Sequence, residues 1–143
     1  MTSSPRGSRE AKRLSAPYVY DAGALIALDN NDRRMWARHK LALDEGRDIH
    51  VPAVVVGQTW RDAWRQVLLG RALAGLQVDP VGLDTSKAAG VLCGRAATSD
   101  VIDATVVVMA TAQRAIIWTA DVSDIAALCR ASGARPEPRV HAV

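Results

Sequence analysis

Five aspartates have the type and spacing to do chemistry. Asp21 lies inside an apolar stretch, VYDAGALIAL, where an unpaired charge is expensive. Asp100 and Asp103 are three residues apart, which places them on one face in the first turn of a helix. Asp121 follows the apolar run IIWT after one residue, and Asp124 lies three further on. Carboxylates brought together repel one another and cannot all stay ionised without a counter-cation. An oxygen-only donor set selects Mg2+ or Mn2+ over zinc. Such an ion polarises a phosphate oxygen and lowers the pKa of a bound water, which suits hydrolysis of a phosphodiester. The local alternative is capping, since aspartate is favoured at helix starts. For Asp100 and Asp124 capping or solvation explains the residue as well as function does. For Asp21 and Asp103 the apolar surroundings favour function.

These acids can meet only if the fold brings three distant segments together. Short apolar runs alternate with helical periods along the chain. Strands are expected at Tyr18–Tyr20, Ile49–Val51, within Leu76–Val81, at Ile116–Thr119 and at Val140–Val143. Helices are expected at Ala22–Leu28, Asp32–Glu45, Asp84–Ala96, Asp100–Arg114 and Ser123–Ser132. Pro52 is expected to open one long helix to about Leu69, with Gly70 breaking it. Ser99 is a suitable cap for the helix holding Asp100, Asp84 or Thr85 for the one before it, and Gly133 a stop for the last. This alternation indicates an α/β fold with a mostly parallel central sheet between helices. Ligands of such sheets bind beyond the carboxyl ends of the strands, where Asp21 and Asp121 fall.

The composition sets bounds. The chain has 143 residues, 49% hydrophobic and 23% charged, as expected of one soluble domain. The formal net charge is +3, but the cations Arg6, Arg9, Lys12 and Arg13 against Glu10 place that excess within residues 1–16. This Ser-, Arg- and Gly-containing segment is expected to be a disordered basic tail, with the domain running over 17–143. The body is neutral overall, so the basic balance is no argument that it binds nucleic acid. Cys93 and Cys129 are far apart, which excludes a disulfide scaffold or zinc finger and fits a cytoplasmic protein. The apolar runs are far shorter than the ~20 residues of a membrane helix, and no secretory signal is expected. Phosphate loops of the GxGxxG or GxxxxGK[ST] type and a GxSxG elbow are absent.

Four stretches carry a resemblance: YDAGALIAL at 20–28, HVPAVVVGQTWR at 50–61, TSDVIDATVVVMA at 98–110 and WTADVSDI at 118–125. In this order they resemble the PIN-domain ribonucleases, specifically toxins of VapBC-type toxin–antitoxin pairs. The resemblance spans essentially Tyr18 to Val143. It implies a three-layer α/β/α domain with an acidic Mg2+ pocket that cleaves RNA through an activated water. By this resemblance Asp21, Asp103 and Asp121 hold the metal, and Asp100, which matches an acid of some relatives, helps position it together with Gln58. Thr119 matches the hydroxyl residue before the last acid, placed to contact RNA, and Asp124 lies outside the metal's immediate ligands. The implied partners are RNA (tRNA or another structured RNA), a VapB-type antitoxin and a second copy of the chain.

One position departs from the pattern. Gln58 stands where the family usually has glutamate; it keeps an acceptor oxygen but cannot act as a base. That departure supports an alternative, a catalytically weak PIN-like module that works by binding protein or RNA. Arg61 and Arg65, three and seven residues after Gln58, would share its helix face and reach RNA phosphate, or be solvated. Trp60 and Trp64 are spaced for core packing, or for a groove that takes a partner.

Overall fold

The computed structural model describes residues 15–143, so the expected basic tail lies almost wholly outside the described residues. The strands are β1 (Tyr18–Tyr20), β2 (Ile49–Pro52), β3 (Gln77–Asp79), β4 (Ile116–Thr119) and β5 (Val140–Ala142). The helices are α1 (Ala22–Asp29), α2 (Arg33–Asp44), α3 (Ala53–Thr59), α4 (Val67–Ala74), α5 (Leu83–Ala96), α6 (Val101–Gln113) and α7 (Val122–Ser132). The sheet order is β3-β2-β1-β4-β5 and every pairing is parallel.

Burial explains the strands. β4, Ile-Ile-Trp-Thr, is buried at all four positions, as a central parallel strand covered on both faces must be. Its β-branched and aromatic residues suit that place. α1 packs on α2, α3 and α4, while α5, α6 and α7 pack on one another. Right-handed crossovers put these two groups on opposite faces of the sheet, which gives three layers. α6 lies across β1, β2 and β4 and buries Ala104, Thr105, Val106, Val107, Met109 and Ala110. From β1 the chain winds toward β2 and β3; it then crosses back to β4 and β5. The order therefore reverses between β1 and β4, and the crevice of this switch point opens at their carboxyl ends.

The expected long helix from Pro52 to Leu69 does not exist. It is two helices separated by residues 60–66, and Gly70 lies inside the second. The cause is Gln66, whose side chain competes for backbone partners. Its Oε1 accepts the amides of Arg61 at 2.6 Å and Asp62 at 2.9 Å. Its Nε2 donates to the Thr59 carbonyl at 2.8 Å and to Asp29 at the end of α1 at 3.2 Å. Asp62 Oδ1 also takes the Trp64 amide at 3.0 Å. Two caps differ as well. Asp100, not Ser99, caps α6, and α5 begins at Leu83 after Gly82 rather than at Asp84 or Thr85.

Candidate active site

The switch-point crevice is where the acids gather. β1 ends at Tyr20 and delivers Asp21 as the N-cap of α1, its Oδ1 accepting the Ala24 amide at 3.2 Å. The Asp21 amide donates to the Trp118 carbonyl at 3.2 Å, which pins the acid to β4. Asp21 is only 6% exposed. β4 ends at Thr119, which is fully buried. The Thr119 hydroxyl donates to the Asp21 carboxylate and accepts the Asp121 amide at 2.9 Å. One hydroxyl thus holds two acids from distant parts of the chain. Thr119, expected to contact RNA, is thus a buried residue that positions the acids.

Gly23 makes the approach possible. A Cβ there would lie 2.5 Å from the Ala120 Cβ and 2.8 Å from the Ala120 nitrogen. Only glycine lets the first turn of α1 come so close to the Thr119–Asp121 loop. Sequence reasoning passed over it; its signal is a glycine two residues after the acid, within the first turn of the following helix.

The remaining acids come from α6 and α7. Asp100 Oδ1 accepts the Asp103 amide at 3.0 Å, so capping accounts for one of its oxygens. Asp103 is half-buried, and its carboxyl is not used as a cap. Asp121 occupies the cap position of α7 without a side-chain bond to its amides. Asp124 is exposed in the first turn of the same helix. The N-termini of α1, α6 and α7 therefore all face the acids, and their dipoles favour negative charge there.

That favour is not enough to compensate the cluster. Burial pushes the Asp21 carboxyl up, opposed by hydrogen bonds from Thr119, Ala24 and Gly23 and reinforced by the charge on Asp121. Burial also drives Asp103 up to about 7, followed by repulsion from Asp100, a hydrogen bond with it, and the charges of Asp21 and Asp121. Asp124 is raised by a hydrogen bond with Asp121 and by repulsion from it. Asp21, Asp103 and Asp121 are therefore one electrostatic unit, with Asp100 and Asp124 at its edge.

The donor set, carboxylate oxygens only, fits a hard divalent cation. The spacing of this conformation does not complete a cage: among the described residues no three acidic, His or Cys side chains stand together as a metal's ligands. The neighbouring acids instead hold the Asp103 and Asp124 carboxyls up, Asp100 beside Asp103 and Asp121 beside Asp124.

The other expected residues lie apart from the acids. Gln58 is exposed on α3. Arg61 and Arg65 do not share its helix face, because α3 ends at Thr59. Arg61 Nη1 turns back to the carbonyls of Gly57 at 3.1 Å and Trp60 at 2.7 Å. Arg65 Nε reaches Asp62 at 3.7 Å from a largely exposed position. Trp60 packs against the core, whereas Trp64, expected in the core or in a groove for a partner, is 92% exposed.

No protein-family model matches this chain, and no curated protein matches it. Solved structures do. One is VapBC2 from Rickettsia felis, bound to a DNA fragment from its promoter. The match has a TM-score of 0.64 and 14% identity, over 88% of this chain and 98% of that one. Another is DNA-bound VapBC from Salmonella typhimurium, with a TM-score of 0.59 and 13% identity, over 90% of this chain and 98% of that one. At such identities the likeness is one of fold, and it meets the expectation of a PIN-like three-layer α/β/α domain.

Proposed function

We propose that this chain is a VapC-type endoribonuclease toxin that hydrolyses RNA with a divalent cation, Mg2+ or Mn2+. The observation that carries the reading is the convergence of Asp21, Asp103 and Asp121 at the switch point of a fold shared with VapBC structures. Their mutual repulsion calls for a positive charge. Asp21, Asp103 and Asp121 would hold the cation, with Asp100 beside them. The cation, when bound, polarises the phosphate and supplies a water of lowered pKa. Thr119 keeps Asp21 and Asp121 in place. Gly23 lets their two loops meet. Asp103, raised to about 7, can hold or release a proton near neutral pH. The substrate would be tRNA or another structured RNA. The partners would be a VapB-type antitoxin that covers the acids and a second copy of the chain. The domain would run over 17–143 and work in the cytoplasm; no helix among the described residues is long and apolar enough to cross a membrane.

The test is incubation of the purified protein with tRNA. Cleavage is expected with Mg2+, none with EDTA, and none by Asp21→Asn. Cleavage by Asp21→Asn at the normal rate would overturn the reading.

Gln58 favours a second reading, a catalytically weak binding module. It is uncharged and exposed. Gln58→Glu separates the two. A large gain in cleavage supports the weak module, whereas an unchanged rate supports a competent nuclease.

A further inference from the structure

Trp64 is the most exposed large apolar side chain of the described residues, at 92%. It does not stand on a loose loop. Gln66, buried in the same loop, ties residues 59–62 together and anchors them to Asp29. The Trp64 amide is itself fixed to Asp62 at 3.0 Å. A firmly braced loop that exposes an indole holds a flat, amphipathic ring at fixed position, open to a contact.

The neighbours say what kind of contact. Arg61, Asp62 and Arg65 share the loop with Trp64, and both arginines are exposed, Arg65 at 88%. An anchor for a protein partner normally sits inside an apolar patch depleted of charge. An aromatic plane beside arginines fits a single-stranded nucleic acid instead, with a base on the ring and the backbone on the guanidinium groups. The position is also suitable. Asp21 caps the start of α1 and Asp29 ends it. The eight residues of α1 span about 12 Å, so the loop is held about one such length from the acids. The acids themselves repel a polyanion, and a grip on the strand must come from elsewhere.

We infer that Trp64, with Arg61 and Arg65, forms a stacking site for an unpaired base of a bound RNA strand. This deepens the nuclease reading and rests on it only for the identity of the strand.

The experiment measures binding of a fluorescein-labelled oligoadenylate about ten nucleotides long to the full chain in EDTA, where cleavage plays no part. Trp64→Ala is expected to weaken binding about tenfold. Trp64→Phe should keep most of the affinity. Inorganic polyphosphate, an anion without bases, should bind wild type and Trp64→Ala alike. Of the four tryptophans Trp64 alone is exposed, so oligoadenylate should quench a red-shifted emission component that Trp64→Phe lacks. Undiminished oligoadenylate binding by Trp64→Ala would overturn the inference. So would an equal loss for polyphosphate, or a change of oligomeric mass in Trp64→Ala, which would make a second copy the occupant. Cleavage by the wild type is read separately with Mg2+. Its failure beside intact Trp64-dependent binding would sink the nuclease reading and leave the stacking site standing.

Discussion

Two polar centres lie at opposite ends of α1, and they are built on opposite terms. At one end Gln66, 8% exposed, has both ends of its amide fully paired with four partners. At the other end Asp21, 6% exposed, also has donors, yet its carboxyl is still pushed up by burial and by Asp121. The first centre is neutral and closed, and it fixes a loop. The second is charged and incomplete, and it pulls Asp103 into the same imbalance. A satisfied buried group stabilises a fold, whereas an unsatisfied cluster of like charges marks a place where a ligand belongs.

Substitutions should separate the two ends. Asp21→Asn is expected to lower RNA cleavage by about 100-fold or more, because it removes charge from the proposed cation site. Its thermal stability should equal or exceed that of the wild type, since the amide relieves burial of charge. Cleavage rates and melting curves on one preparation check this. A folded, fully active Asp21→Asn protein would erase the distinction.

Gln66→Leu should behave in the reverse way. It strands the amides of Arg61 and Asp62 and the Thr59 carbonyl, and should cost about 2–3 kcal/mol in urea denaturation. Its cleavage rate at saturating RNA should remain near normal.

Gly23→Ala tests α1 from the end that carries Asp21. The new methyl would collide with Ala120, whose backbone must shift or α1 must tilt. The expected cost is about 1–3 kcal/mol, read by denaturation, with a loss of cleavage larger than its loss of folded protein.

The smallest effect is the response to pH. Asp103 in the folded chain has its carboxyl raised to about 7 from the ordinary 3.8. Between these values the folded state binds more protons than the unfolded one, so this group's contribution to stability falls as pH rises. The fall should be complete above about pH 7 and weaker in Asp103→Asn. Mg2+ should raise the melting temperature more at pH 7.5 than at pH 5. A wild type and an Asp103→Asn variant with parallel melting profiles across this range would contradict the coupling.

Much of this was legible in the residues. β1, β2, β4, β5 and the helices carrying Asp21, Asp103 and Asp124 follow from apolar period and capping chemistry. So does the delivery of Asp21 and Asp121 to one end of the sheet. The break after Thr59 was not legible. The apolar period runs on from Val54–Val56 into Val67–Leu69, and no glycine or proline interrupts residues 60–66. The helix is broken by the tertiary bonds of Gln66, including its link to Asp29, which no local pattern reveals. The spacing of Trp60 and Trp64 misled for the same reason. Thr119 was visible as a polar residue before an acid, but its full burial and double hydrogen bond depend on the packing of β4.

At the centre stands the proposed cation site of a nuclease, formed by the acids at the ends of β1 and β4. Its most direct test is a calorimetric titration of Mn2+ into wild type and Asp21→Asn at pH 7, with RNA cleavage followed on the same samples. Cation binding with proton release from Asp103 is expected of the wild type, and the loss of both binding and cleavage of the variant. Cleavage that persists in Asp21→Asn, or in wild type stripped of cation by EDTA, would contradict it.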